Sequence, residues 1–89
     1  MNNSINNEND WYCYLVQCAD NTFYTGITNN LQKRIDAHNA GIASKYTRCR
    51  LPVQLVYSEA HADRSRASKR EAEIKCFSRN EKLELIGMC

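Results

Sequence analysis

The sequence is poor in the features that mark a membrane-embedded, metal-caged or disulfide-stapled protein. No apolar run approaches the about 20 residues that a membrane-spanning helix needs. The polar start MNNSINNEND is not that of a secretory signal peptide, so the expectation is a cytoplasmic protein with no membrane segment. Only two histidines are present, and none of the five cysteines (Cys13, Cys18, Cys49, Cys76, Cys89) forms a C-x-x-C pair, which argues against structural zinc. The cysteines read as reduced thiols, mostly small hydrophobic residues, and nothing nearby in sequence lowers a thiol pKa toward catalysis. A net charge of +2 also denies the chain the global positive field of a strongly basic nucleic-acid binder.

What is present fits one small domain. At 89 residues the chain has little stability to spare, so polar groups placed in its interior need a compensating reason. Residues 1–10 are rich in Asn with one aliphatic side chain, and are expected to form a disordered tail ahead of a domain over 11–89. Tyr12 to Cys18 and Phe23 to Thr28 read as two strands of a hairpin around the turn residues Ala19-Asp20-Asn21-Thr22. Asn30 caps a helix over Leu31 to about Asn39, which Gly41 is suited to end. Residues 41–51 look like a basic loop, and Pro52 opens a third strand from Val53 to Tyr57. A helix from about Ser65 to Phe77 follows. Ser78-Arg79-Asn80-Glu81 is a capping box that starts a last helix reaching Ile86. The fold class is α+β: a small three-stranded antiparallel sheet flanked by three helices, in the order ββαβαα.

Two helices aim charged groups inward. Leu31, Arg34, Ile35 and His38 fall at i, i+3, i+4 and i+7, one face of a helix, so Arg34 and His38 accompany the apolar pair toward the protein. Ala67, Glu71, Ile74 and Ser78 define a second stripe, with Glu73 pointing away from it. A carboxylate on such a stripe needs a cation, hydrogen-bond donors or a metal to offset its desolvation. The plainer readings are a snorkelling Arg34, a packed His38, and an ion pair from Glu71 to Arg70, Lys75 or Arg34. Tyr14 and Tyr24 share a sheet face only in an odd register. A three-residue loop with Asn21 left-handed, or a bulge, gives that register; a two- or four-residue loop does not. Basic residues crowd from Lys45 to Arg50 and from Arg64 to Lys82, enough for a local face that tracks phosphates. Its candidate contacts are Lys45, Tyr46, Arg48, Arg50, Arg70 and Lys75. A solvated helix surface is the commoner reading of such a run.

The ordered set of short motifs resembles the GIY-YIG nuclease domain. Tyr12-Cys13-Tyr14 stands at the GIY position and Tyr24-Thr25-Gly26 at the YIG position. Leu31-x-x-Arg34-x-x-x-His38-Asn39 is similar to the helix motif that follows, and Ala67-x-x-x-Glu71-x-x-Ile74-Lys75 to the stretch with the acidic metal ligand. Lys45-Tyr46-Thr47-Arg48 and the segment at 78–82 further resemble the small stand-alone bacterial (YhbQ-like) members. The resemblance implies metal-dependent hydrolysis of phosphodiesters, with Mg2+ or Mn2+ as a single ion and nucleic acid, DNA in the first place, as partner. By position it makes Tyr14 or Tyr24 the group that activates or orients water. It makes Arg34 the holder of the scissile phosphate, Glu71 the metal ligand, and His38 a support for the phosphate or the tyrosines. Branched, flapped or damaged DNA in repair or recombination is the expected substrate.

The chain departs from the pattern in two places. Tyr12 and Cys13 replace the Gly and Ile of the first motif, and Ile27 stands where excision-repair relatives carry Lys. No appended DNA-binding domain is expected, and a protein partner is expected to supply substrate selection. The alternatives are a catalytically weak nucleic-acid-binding module acting with a partner, and a protein-interaction domain.

Overall fold

A computed structural model of the protein describes residues 10–87. The tail expected at residues 1–10 lies outside these, Asp10 excepted, and so does Cys89. The elements run β1 (Trp11–Gln17), β2 (Phe23–Thr28), α1 (Leu31–Asn39), α2 (Lys45–Arg48), β3 (Gln54–His61), α3 (Arg64–Lys75) and α4 (Arg79–Ile86). The three strands form one antiparallel sheet in the order β2-β1-β3. The expected architecture therefore holds, with three differences. The basic loop contains a one-turn helix, α2, too short to show periodicity; the Ser44 side chain caps it by accepting from the N–H groups of Tyr46 and Thr47. Strand β3 runs to His61 rather than Tyr57, because its pairing with β1 continues to Trp11 opposite His61; on this stretch Glu59 is engaged by Tyr57 Oη at 2.6 Å, His61 Nε2 at 2.6 Å and Arg70 Nε at 3.0 Å. Helix α3 stops at Lys75, so Ser78 leaves the inward stripe and caps α4 through a complete capping box with Glu81.

The turn of the first hairpin decides which side chains share a face. Cys18 N–H donates to the Thr22 carbonyl at 2.8 Å, leaving Ala19, Asp20 and Asn21 as a three-residue loop. Asn21 takes a left-handed conformation, φ 69°, which Asn tolerates better than most residues. Asp20 fixes the turn by accepting from Thr22 N–H at 3.1 Å and Thr22 Oγ1 at 2.6 Å. The register that results sets Tyr14 opposite Gly26 and Val16 opposite Tyr24. Tyr14 and Tyr24 are thus diagonal neighbours on one face.

The two faces of the sheet carry different cores. Tyr14, Val16, Cys18 and Val53 form one, packed by Leu31 and Ile35 of α1 and by Tyr24 and Leu51. Cys13, Leu15 and Ile74 form the other, closed by Val56, Tyr57, Phe77, Leu85 and Ile86. Strand β1 is covered on both sides and is fully buried from Cys13 to Val16. Helices α1 and α3 therefore lie on opposite faces, and β2 is an edge strand between them.

Candidate active site

The two inward-aimed charges meet at the outer side of β2. A cleft of about 390 Å³ is lined by Tyr24, Gly26, Ile27, Thr28 and Asn29 of β2 and its end, by Arg34 of α1, by Arg64 and Glu71 of α3, and by Trp11. It wraps around the sheet edge, taking Arg34 from one face and Glu71 from the other. Periodicity placed each side chain on its helix but carried no information about this meeting. Glu71 is half-buried and Lys75 Nζ lies 3.4 Å from its carboxylate, so the ion-pair reading of Glu71 is also realised. With its ammonium end exposed to water, an i,i+4 pair of this kind is worth at most about 1 kcal/mol and leaves the carboxylate open to a stronger cation.

Tyr14 and His38 are fully buried behind the cleft. Tyr14 Oη is 2.8 Å from His38 Nε2, and His38 Nδ1 is 2.8 Å from Thr47 Oγ1. The Thr47 hydroxyl donates in turn to the Ser44 carbonyl at 3.5 Å. That direction makes Thr47 the acceptor for His38 Nδ1–H, leaves Nε2 as an acceptor, and turns the Tyr14 proton toward His38. The Arg34 guanidinium lies near enough to the phenol for its charge to act on it. A hydrogen-bonded chain thus runs from Tyr14 through His38 and Thr47 to the backbone at the N-cap of α2. Burial raises the Tyr14 pKa against the opposing influence of Arg34. Burial, with the charge of Arg34 in support, lowers that of His38. Both groups are held neutral, which suits them to orienting Arg34 rather than to exchanging protons with solvent.

Gly26 makes this possible. A Cβ there would sit 2.6 Å from Tyr14 Oη and 2.8 Å from its Cζ, so the ring crosses the neighbouring strand only where no side chain stands. The Nε of Arg34 is buried without a hydrogen-bond partner among the described residues. An unpaired buried donor of a charged group is costly, and an anion that accepted from it would relieve that cost.

The residues expected to contact nucleic acid divide. Tyr46 stacks on Tyr24, ring centroids 6.0 Å apart at 24°. Arg50 lies over the Tyr46 ring at 3.9 Å and is tied to Asp20 at 3.0 Å. Lys45 and Arg48 are exposed on α2. Arg70 faces elsewhere, engaged by Glu59 at 3.0 Å and Glu73 at 3.0 Å. Trp11, Gly26 and Arg64 line the cleft without having been singled out as site residues. Arg64 had a legible signal, standing seven residues before Glu71 and so on the same helix face. Of the cysteines, Cys13 and Cys18 are buried, and burial pushes the Cys13 thiol up to about 11, which fits an inert packing residue. Cys49 and Cys76 are exposed free thiols.

Fold and cleft together define a class: a small α+β domain that offers a phenol, a guanidinium and a carboxylate to one ligand at a sheet edge. A family model described as the GIY-YIG catalytic domain matches residues 10–84, and the chain belongs to that family. GIY-YIG domains are nuclease domains, which act on nucleic acid and generally use a divalent metal ion. A UPF0213 protein of Staphylococcus haemolyticus is 53% identical over 75 residues, covering 84% of this chain and 92% of that one. The solution NMR structure of a UPF0213 protein from Bacillus halodurans is similar at a TM-score of 0.57 and 37% identity, over 89% of this chain and 84% of that one. A protein of E. faecalis, also solved by NMR, gives a TM-score of 0.58 at 35% identity over 94% and 85%. No helix among the described residues is long and apolar enough to cross a membrane.

Proposed function

We propose that this protein is a divalent-metal-dependent nuclease that hydrolyses DNA phosphodiester bonds, with branched, flapped or damaged DNA as its substrate. The observation that carries the reading is the convergence of Tyr24, Arg34 and Glu71 on one cleft. Arg34 binds the scissile phosphate through its planar fork and stabilises the negative charge that grows on the phosphoryl oxygens. Tyr24, the tyrosine that reaches the cleft, orients the attacking water through its phenol oxygen. Tyr14 and His38, closed off from substrate, hold Arg34 in place. Glu71 suits a hard cation: Mg2+ or Mn2+ accepts one carboxylate beside waters and substrate oxygens. Such an ion supplies polarisation of the phosphoryl oxygen and offsets charge on the leaving oxygen.

Cleavage of duplex, single-stranded, flapped and branched DNA, with and without Mn2+, tests this. Wild type is expected to cut at least one substrate only with metal, and Arg34→Ala and Glu71→Ala to lower the rate about 100- to 1000-fold with the fold intact. Equal cutting by wild type and Glu71→Ala, or no metal-dependent cutting at all, would overturn it. The second reading, a binding module of little activity, draws support from Ile27, an apolar side chain in the cleft where some relatives have a cation. On that reading DNA binding is independent of metal and survives Glu71→Ala.

A further inference from the structure

A second cavity, about 230 Å³, adjoins the cleft and is lined by Phe23, Tyr24, Thr25, Tyr46, Lys75 and Lys82. Two contacts join it to the first: Tyr24 borders both, and Lys75 reaches back to Glu71 at 3.4 Å. Its lining combines three aromatic rings with two ammonium groups. An apolar ligand alone would have no use for the lysines, and a free anion none for the rings. A nucleotide uses both, its base packing on aromatic side chains and its phosphate meeting the ammoniums.

The rings are already fixed. Tyr46 is stacked on Tyr24, and Arg50 holds it from the ring and from its carbonyl at 2.7 Å. Arg79 lies 5.0 Å from the centre of the Phe23 ring. Neither arginine lines the cavity, so both rings are braced without filling it. A prearranged wall of this kind loses little side-chain freedom when a base arrives. The cavity is smaller than the about 300 Å³ at which pockets for drug-sized ligands begin, which limits it to a single flat ring system. A base within a continuous duplex has both faces covered and its edge paired, and entering would require its extrusion.

We propose that this cavity binds one unpaired nucleotide adjoining the phosphate held by Arg34, so that the preferred substrate has a single-stranded segment at the cut. The proposal rests on the nuclease reading for its placement beside the scissile bond, but binding can be tested without cleavage. Affinity is measured by fluorescence anisotropy without divalent metal, for a single strand and for the matched duplex. A 2-aminopurine in the strand reports stacking. Wild type should bind the single strand more tightly and quench the 2-aminopurine. Tyr46→Ala should weaken single-strand binding about 5- to 100-fold, and Tyr46→Phe should restore it. Lys82→Ala, on the surface of α4, should reduce the slope of log affinity against log salt by about 0.7.

Equal affinity for single strand and duplex, or wild-type single-strand affinity in both Tyr46→Ala and Lys82→Ala, would overturn the subsite. Metal-dependent cutting of duplex at unchanged rates in both variants would also overturn it while leaving the nuclease reading intact. Selective single-strand binding with no cutting would support the subsite and sink the nuclease reading instead.

Discussion

At the scale of single residues, Tyr14 and Tyr24 have the same chemistry, one closing its motif and the other opening its own, yet different surroundings. Tyr24 lines the cleft, whereas Tyr14 is sealed behind it with its proton turned toward His38. The sequence offered both as water-activating groups and held nothing to rank them, because rank follows from burial and burial from register. Gly26 was legible as a motif letter, but its reason is the approach of the Tyr14 ring. Gly26→Ala should therefore push the ring away, costing about 1–3 kcal/mol by overpacking and breaking the bond to His38. Chemical unfolding measures the first effect, and the NMR signals of the His38 imidazole report the second. A variant as stable as wild type, with unchanged His38 signals, would show that the sheet yields more easily than this packing implies.

At the scale of elements, α1 was the most readable part of the chain. Its face at 31, 34, 35 and 38 is borne out, His38 being buried and Leu31 and Ile35 packed on the sheet. The one-turn α2 was invisible because four residues cannot show a period. It nevertheless carries Thr47, the fully buried end of the hydrogen-bond chain. The basic Lys-Tyr-Thr-Arg segment was read for its charges, while its neutral hydroxyl is the part bound to the site. Thr47→Val preserves shape but leaves His38 Nδ1–H without its acceptor, a loss of about 1–3 kcal/mol. Imidazole NMR should then show His38 leaving the Nδ1–H form. On the nuclease reading, the cleavage rate should fall more than DNA affinity does, since Arg34 loses its brace and not its charge. An unchanged tautomer would place the control of His38 elsewhere.

At the scale of the whole molecule, one small sheet supports two cores, and both depend on groups that titrate in acid. The His38 pKa lies below its ordinary value of 6.5, so its neutral form supports the fold fully above that pH, and the support is lost as pH falls below it. Burial alone would raise the Glu59 pKa, but hydrogen bonds from Tyr57, His61 and Arg70 hold it below 4.5, so its contribution is full above that value and lost below it. Denaturant midpoints measured from pH 8 to pH 3 should thus fall in two stages, beginning near 6.5 and near 4.5. His38→Gln should remove the first stage and Glu59→Gln the second. A flat profile between pH 7 and pH 5 would contradict the role given to His38. The strands, the long helices and the sheet order could be read from pattern and resemblance. The meeting of Arg34 and Glu71 followed from the resemblance and not from pattern, since it depends on two opposite layers reaching around an edge strand.

The three-residue turn of the first hairpin carries a consequence for how such a protein can diverge. Removing or adding one residue among Ala19, Asp20 and Asn21 would exchange the faces of β2, sending Tyr24 and Gly26 to the α3 side and bringing Phe23, Thr25 and Ile27 beneath Tyr14. The backbone ladder would survive, but the ring of Tyr14 would lose its opening. Lineages that keep the cleft can therefore lengthen or shorten this turn only in steps of two, unless a bulge restores the parity, while the distal loops are free of that arithmetic.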